Sequence, residues 1–264
     1  MLNGLQDKQL PVKVDFKDKK MNRNKIAIID LGGTIVDEKE PNFHRLEQKV
    51  IDKICSKTTN LKILEKSLSE ILIQFNREMA KQSSEQKNSK LIIEEVLKKY
   101  NLPLSCEMFE EIAWLYLGGE STSYLKPLPG AIKLLQLLNS ENFKVIALSN
   151  TTLPLSILKR IFITHKIYNL FSCFILSSEC GYKKPGDEIF NHLEKTQNIK
   201  QDDHVISIGN SYYADIKPSL KRGYKSYCLK GDMKIDVCTE TDTTNLQIIE
   251  SIDFFLKDKS NFNV

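Results

Sequence analysis

Four short segments of the chain carry polar side chains of the types that handle phosphate groups and metal ions. In the first, Asp30 ends a run of apolar residues and is followed closely by Gly32 and Gly33. A carboxylate at such a position can attack phosphorus or carbon, and the glycines let the backbone turn sharply beside it. This segment therefore predicts a nucleophile.

The other three segments offer the partners that such a nucleophile needs. Ser149 and Asn150 supply a hydroxyl group and amides, and Lys184 supplies a cation that can neutralise an anionic substrate. In the last segment, Asn210 and Asp215 carry oxygen atoms that can hold a hard cation. Together the four segments predict chemistry on an anionic substrate.

These side chains need a scaffold that gathers them, and the pattern of apolar residues predicts one. Helical and strand-like segments alternate along the second half of the chain: helices over 131–138, 155–162, 188–196 and 216–222, strands over 144–148, 173–176, 204–208 and 226–229, and a last helix over 246–256. Repeated units of this kind form a parallel sheet covered by helices. We predict an α/β fold, a doubly wound parallel sheet that binds its ligand at the carboxyl ends of the strands.

Residues 40–125 follow a different pattern. Apolar residues recur there every three or four positions, as in Leu64, Leu68 and Ile71, which is typical of amphipathic helices packed in a bundle. The bundle would be inserted after a first strand at 25–30. The predicted domains are a disordered leader over 1–24, a core over 25–39 and 126–264, and the helical insertion over 40–125.

The composition excludes several classes of protein. Hydrophobic residues make up 41% of the 264 residues, enough to bury a sizeable core. The net charge of +4 is too small and too evenly spread to indicate a nucleic-acid or membrane partner. No apolar run approaches the ~20 residues of a membrane span, and no secretory signal pattern is found. Six scattered cysteines without a CxxC pair indicate reduced thiols. We expect a cytoplasmic protein, and a homodimer stays open.

Taken in this order, the four segments resemble the motifs of the haloacid-dehalogenase-like hydrolase superfamily. That superfamily reads hhhhDxDGT, then hhhh(S/T), then a Lys often followed by Pro, and finally GDxxxxD. Here the corresponding segments read DLGGT from Asp30, LSN ending at Asn150, KKP ending at Pro185, and GNSYYAD ending at Asp215. The resemblance spans about residues 25 to 230. It implies a Rossmann-like core, a cap formed by the helical insertion, Mg²⁺, and a covalent aspartyl intermediate.

The resemblance also implies a role for each matching residue. Asp30 would be the nucleophile, Ser149 would bind the transferred group, and Lys184 would stabilise Asp30 and the developing charge. Thr34 and Asn150 would bind the substrate, a small anionic metabolite, with Thr34 also ordering the loop. The implied Mg²⁺ ligands are Asp30, the backbone carbonyl of Gly32, Asn210 and Asp215.

Two positions depart from the pattern of the family. Gly32 stands where phosphatases carry a second Asp, which serves as general acid and base and typically contributes ~10²–10⁴-fold in rate. Asn210 stands where an Asp is usual. Its amide oxygen can still ligate Mg²⁺, but the substitution removes one negative charge and should weaken the site.

Several interpretations fit these departures. The first is an atypical phosphate-ester hydrolase, whose leaving group needs little protonation. The second is a phosphonoacetaldehyde hydrolase, because those enzymes carry a small residue at the position of Gly32. They also need a cap lysine, for which Lys49, Lys53 and Lys57 are candidates by location.

The remaining interpretations concern a dehalogenase and a binding protein. Haloacid dehalogenases also read Ser-Asn, as Ser149 and Asn150 do, but they carry an aromatic residue at the position of Gly32 and use no metal. A binding or regulatory protein could keep the fold after losing the acid. Our leading hypothesis is a Mg²⁺-dependent hydrolase of a small phosphorylated or phosphonate metabolite, acting through Asp30.

Overall fold

The computed structural model describes four stretches of the chain and several single positions in the predicted insertion. The stretches are 23–37, 125–229, 245–249 and 251–257. The single positions, all helical, are Leu91, Glu94, Lys98, Glu107, Glu110, Glu111 and Trp114. Nearly all of the predicted leader and of the helical insertion lies outside the described residues, so both stay predictions.

The described residues form one six-stranded sheet. Its strands are β1 (Lys25–Ile29), β2 (Phe143–Ser149), β3 (Cys173–Leu176), β4 (His204–Gly209), β5 (Lys225–Leu229) and β6 (Leu246–Ile249). All neighbours pair in parallel, in the order β3-β2-β1-β4-β5-β6. This is the order of a doubly wound Rossmann sheet, so the predicted α/β core is confirmed.

Helices cover both faces of the sheet. They are α1 (Ala131–Ser140), α2 (Leu155–Thr164), α3 (Ser177–Cys180), α4 (Asp187–Gln197), α5 (Lys217–Lys221) and α6 (Ile252–Lys257), with a 3₁₀ turn at Tyr168–Leu170 and a π-helical turn at Tyr212–Ile216. Leu134, Leu135 and Leu138 lie on one side of α1 and are fully buried, as the helical spacing of these apolar residues requires. None of the helices in the described stretches is long and apolar enough to cross a membrane.

The central strand β1 is buried on both of its faces. Ala27 and Ile29 pack into one hydrophobic cluster, which also contains residues of α1, α2 and α6. Ile26 and Ile28 point the other way and pack into a second cluster with Phe190 of α4. Successive side chains of a strand point to opposite faces, so a strand covered on both faces must be apolar without interruption.

The last predicted helix is partly wrong. Residues 246–249 form strand β6, and α6 begins only at Ile252. The four-residue apolar run has no spacing that separates a strand from a helix. The residues form a strand because the free edge of β5 has backbone groups that need hydrogen-bond partners. Strand β6 lies beside β5, and Ser226 N donates to Asn245 O at 2.8 Å.

One further detail differs from the predicted elements. The helix expected over 216–222 is preceded by the π-helical turn, and its α-helical part begins at Lys217.

Trp114, within the range of the predicted insertion, packs against the hydrophobic cluster of the sheet domain. Its ring centroid lies 3.6 Å from the guanidinium carbon of Arg160 on α2, a cation–π contact. This contact ties the insertion to the core.

Candidate active site

The candidate site lies where the order of the strands reverses. From β1 the chain continues to β2 on one side, whereas β4 pairs with the other side of β1. Asp30 follows β1 directly, and its backbone N–H donates to Ile208 O on β4 at 3.0 Å. Asn210 follows β4. Ligands of doubly wound sheets bind in the crevice at this reversal, outside the carboxyl ends of the strands.

Asp30, Lys184 and Asp215 form an ion triad in this crevice. Lys184 Nζ donates to Asp30 Oδ1 at 2.7 Å, to Asp215 Oδ1 at 2.6 Å and to Leu148 O at 2.8 Å. The three charged residues are between 5% and 8% exposed. A lysine ammonium has three protons, so every proton of Lys184 is engaged. The geometry therefore holds both carboxylates against a single cation.

The second oxygen of each carboxylate in the ion triad is also engaged. Thr34 Oγ1 donates to Asp30 Oδ2 at 2.9 Å, and the backbone N–H of Ser211 donates to Asp215 Oδ2 at 3.0 Å. All four oxygens of the two carboxyl groups thus accept a hydrogen bond. These contacts hold the carboxyl group of Asp30 in one orientation, as a nucleophile needs.

Burial and charge act in opposite directions on the pKa values of the ion triad. Burial raises the pKa of Asp215 to about 6, and the charge of Asp30 adds to this effect, while the charge of Lys184 opposes it. Burial alone would lower the pKa of Lys184, but the charges of Asp30 and Asp215 outweigh it, so the pKa of Lys184 is raised above its ordinary value. Lys184 therefore stays a cation.

Asn150 holds the loop that carries Lys184. Its Nδ2 donates to Lys184 O at 2.8 Å, and Lys184 N donates to Asn150 Oδ1 at 2.8 Å. The peptide bond between Lys184 and Pro185 is cis. We predicted a substrate contact for Asn150; its amide group contacts this backbone segment, and the substrate contact stays a prediction. A contact between residues 34 positions apart leaves no signal in the sequence.

The turn after β4 positions Asp215 through Gly209, Ser211 and Ser219, to which the sequence analysis assigned no role of their own. Ser211 Oγ accepts from Ala214 N at 3.1 Å, and Ser219 Oγ donates to Asp215 O at 2.6 Å. A Cβ at Gly209 would lie 2.5 Å from Asp215 Cβ, so only glycine leaves room there. Gly209 belongs to a recognisable motif, whereas Ser211 and Ser219 carry no distinctive signal.

Gly33 and Asn210 pack directly against each other. Gly33 has a φ of +67°, in the left-handed region that favours glycine, and a Cβ there would overlap Asn210 Nδ2. Gly32 does not share this conformation, because its φ is not positive. Of the two glycines after the nucleophile, Gly33 is thus required by the backbone and Gly32 is not.

Ser149 is the last residue of β2 and is 4% exposed. Its hydroxyl group makes no hydrogen bond to another residue in the described part of the chain. The same holds for the side chain of Asn210. Both groups lie at the ends of strands that flank Asp30, one on β2 and one on β4, so the structure brings the predicted site residues to one edge of the sheet.

The oxygen atoms at this edge are of the types that a magnesium ion takes as ligands. Asp30 and Asp215 already direct Oδ1 atoms to within 2.6–2.7 Å of one cationic centre, the ammonium group of Lys184. No group of three or more His, Cys, Asp or Glu side chains that could hold a metal occurs among the described residues. Within the described part of the chain, the amide of Asn210 and the carbonyl of Gly32 are neutral oxygens that could complete such a set, and hard oxygen donors suit Mg²⁺.

Solved structures of several hydrolases share this fold. The magnesium-bound protein YfnB from Bacillus subtilis, described as a HAD-hydrolase, covers 92% of this chain and 100% of its own, with a TM-score of 0.52 and 16% identity. A HAD phosphatase from Thermococcus onnurineus covers 88% and 96%, with a TM-score of 0.53 and 17% identity. A 2-haloacid dehalogenase from Pseudomonas syringae covers 89% and 97%, with a TM-score of 0.58 and 14% identity. Identities this low show a common fold alone.

The sequence itself identifies the family. No curated protein sequence matches the chain. The profile described as "Hydrolase: haloacid dehalogenase-like hydrolase", however, matches residues 24–218. This range includes Asp30, Ser149, Lys184 and Asp215, the residues that the fold gathers at one edge of the sheet. The chain belongs to the haloacid dehalogenase-like hydrolase family.

Proposed function

We propose that this protein is a cytoplasmic, Mg²⁺-dependent hydrolase of a small phosphorylated or phosphonate metabolite, and that Asp30 forms a covalent intermediate. The observation that carries this proposal is the ion triad, which holds Asp30 as an oriented anion at the crevice where ligands of such sheets bind. The scattered cysteines without a CxxC pair support the cytoplasmic location.

In the first step, an Asp30 carboxylate oxygen attacks the phosphorus atom, and the bond to the leaving group breaks. Lys184 and Thr34 orient Asp30 for this attack, since each donates to one of its oxygens. The cation of Lys184 also lowers the electrostatic cost of bringing an anionic phosphoryl group to an anionic carboxylate. The hydroxyl group of Ser149, which has no partner among the described residues, would donate to a phosphoryl oxygen.

Asp30, Asp215, Asn210 and the carbonyl of Gly32 would hold Mg²⁺. When bound, the ion supplies Lewis-acid stabilisation of the charge on the phosphoryl group. Asp215 is kept in place for this purpose by Ser211 N and Ser219 Oγ. In the second step a water molecule attacks the phosphorus atom, the bond from phosphorus to Asp30 breaks with its electron pair on the carboxylate, and the proton of the water passes to the released phosphate.

The proposal is tested by measuring phosphate release from a panel of phosphorylated metabolites and phosphonoacetaldehyde, with Mg²⁺ and with EDTA. Asp30→Asn should abolish turnover, because an amide is no nucleophile. Asp187→Asn is the matched control, since Asp187 is an ion-paired aspartate whose side chain is 54% exposed. That variant should keep the turnover of the wild type.

Three outcomes would contradict the proposal. Full activity of Asp30→Asn would exclude covalent catalysis at Asp30. Halide release from haloacids that survives EDTA would indicate a dehalogenase. No turnover at all, with binding of phosphorylated metabolites intact, would indicate a binding protein.

A further inference from the structure

Resting on the proposed function, we infer that Ser177 is a positioning residue for the phosphoryl group, because it fixes the loop that follows Ser149. Ser177 is the first residue of α3 and comes directly after β3. Hydrogen bonds join this part of the chain to the loop after β2, at the same edge of the sheet as the ion triad. Ser177 would thus act on the phosphoryl group through Ser149 and not by touching it.

The hydroxyl group of Ser177 continues the hydrogen bonding between β2 and β3 beyond the last strand pair, which is Ser149 with Leu176. Two residues after Ser149, Thr151 N donates to Ser177 Oγ at 2.8 Å, and Ser177 Oγ donates to Thr151 O at 3.0 Å. A serine hydroxyl can accept and donate at the same time. It therefore satisfies both backbone groups of a residue that lies just beyond the sheet.

The next two side chains of α3 hold the same loop further along. Ser178 Oγ donates to Leu153 O at 2.7 Å, and Leu155 N donates to Glu179 Oε1 at 2.7 Å. Leu155 begins α2, where the first N–H groups have no partner inside the helix and a carboxylate is favourable. Three consecutive side chains thus hold one loop by its backbone. We call Ser177, Ser178 and Glu179 the α3 clamp.

The loop after β2 is also held at its beginning, by the segment that follows the α3 clamp. The backbone of Lys184 exchanges two hydrogen bonds of 2.8 Å with the side chain of Asn150. Asn150 therefore fixes the first residue of the loop, and the α3 clamp fixes the rest. Since Ser149 comes directly before Asn150, the position of its hydroxyl group depends on where this loop is held.

Burial makes the contacts of Ser177 hard to replace by water. Ser177 is 0% exposed, and Ser149 is 4% exposed. Without the hydroxyl group of Ser177, both backbone groups of Thr151 lose their side-chain partner, and they can regain partners only if the loop moves. A shift of about 1 Å in a group that positions a substrate can cost about 10²-fold in rate. Loss of the hydroxyl group should therefore weaken the binding of a phosphoryl group through Ser149.

The test compares Ser177→Ala with Ser226→Ala. Ser226 is the matched control, because it is also 0% exposed and its hydroxyl group donates to a backbone carbonyl, Tyr224 O at 3.1 Å, but it lies near the amino end of β5. Calorimetry measures the Kd of inorganic phosphate in the presence of Mg²⁺, assays with 4-nitrophenyl phosphate measure kcat/KM, and thermal denaturation measures Tm. Ser178→Ala and Glu179→Ala are measured in the same way.

We expect Ser177→Ala to raise the Kd of inorganic phosphate about tenfold and to lower kcat/KM by at least as much. Ser226→Ala should lower Tm to a similar extent and leave both constants unchanged. The effect on Kd should shrink from Ser177→Ala to Ser178→Ala to Glu179→Ala, because their contacts lie progressively further along the loop from Ser149. A purely structural role would lower Tm without this order.

An unchanged Kd in Ser177→Ala would overturn the inference and leave the phosphatase proposal standing. Equal losses of phosphate binding in Ser177→Ala and Ser226→Ala would also overturn it, since binding would then follow stability alone. If Ser177→Ala does not fold, the same comparison between Ser178→Ala and Ser226→Ala decides. No phosphate binding and no turnover in the wild type would overturn the proposed function itself.

Discussion

The structure contains two clusters of opposite charges, each of which pairs a lysine with aspartate, in different surroundings. In the ion triad, the side chain of Lys184 is 3% exposed and bridges two aspartates. The surface ion cluster consists of Lys221, Arg222, Asp187 and Glu194. There Lys221 is 70% exposed, and Arg222 reaches Asp187 at 2.9 Å and Glu194 at 3.1 Å.

The two clusters differ in their exposure to water. In the ion triad, burial raises the pKa of Asp215 to about 6 even though a cation touches it. In the surface ion cluster, hydrogen bonds from Arg222 and Lys221 hold the pKa of Asp187 below its ordinary value. Desolvated charges depend on one another, whereas exposed charges keep water as an alternative partner. The cost of burying this arrangement supports the proposal that the ion triad is the functional one of the two.

Substitution of the lysine in each cluster should give the largest difference between the two clusters. Lys184→Met should lower the free energy of unfolding by about 3–5 kcal/mol and abolish turnover, because it leaves two carboxylates buried without a cation. Lys221→Met should change the free energy of unfolding by less than about 0.5 kcal/mol. Urea denaturation of both variants measures the difference. Similar losses in the two variants would show that the burial of the ion triad has no special energetic weight.

One glycine lies next to each cluster, and substituting each of them gives a second test of the difference between the clusters. Gly33 and Gly223 both have a positive φ, of +67° and +78°, but a Cβ at Gly223 would meet no atom within 4 Å, whereas one at Gly33 would overlap Asn210. Alanine in a left-handed conformation costs about 1–2 kcal/mol. Gly223→Ala should lose that much stability in denaturation curves, and Gly33→Ala should lose at least that much because of the added overlap. Only Gly33→Ala should also lose turnover. Turnover lost equally in both would point to a general effect on folding.

A third test adds one negative charge, either near the ion triad or at the surface ion cluster. Asn210→Asp restores the carboxylate that is usual in the family and should raise the affinity for Mg²⁺ about tenfold, or about 1.4 kcal/mol. The thermal midpoint, Tm, should then respond more strongly to Mg²⁺ than in the wild type. Asn191→Asp is the control, because Asn191 accepts from Arg222 in the surface ion cluster. A Tm that responds equally in both variants would mean that Mg²⁺ does not bind at Asn210.

The smallest effect is expected from Asp187→Asn. The pKa of Asp187 is lowered on folding, so its ionised form contributes stability above its ordinary pKa of about 3.8, and this contribution disappears as the pH falls further. The variant should be slightly less stable than the wild type at pH 6, and the two should converge as the pH falls below 3.8. Denaturation curves at low and high salt measure this, since salt should shrink the difference at pH 6. A difference that grows at acid pH would have the wrong sign.

The features that could be predicted from the sequence are those that local patterns of residues encode. An uninterrupted apolar run that stops at Asp30 indicates a buried strand ending in a carboxylate, and the doubly wound core is confirmed by the strand order. Lys184 stands out because a proline follows it. The parallel sheet then explains why residues from four distant segments meet at one edge.

The sequence could not predict the contacts between segments. The two hydrogen bonds of Asn150 to the backbone of Lys184, and the overlap that excludes a side chain at Gly33, depend on the final positions of distant loops. Strand β6 shows the same limit for secondary structure. Its short apolar run is compatible with a helix, and it becomes a strand because β5 offers an unpaired edge.

During synthesis, β1 leaves the ribosomal exit tunnel long before β4 does. Asp30 and Lys184 are 154 residues apart, and Asp215 follows 31 residues later. A nascent chain that ends after β3 therefore carries β1 with one edge unpaired, and such edges invite pairing with other chains. We expect stalled nascent chains to protect β1 from protease only once β4 and β5 have left the exit tunnel. Protection of β1 in a chain that ends after β3 would contradict this order of assembly.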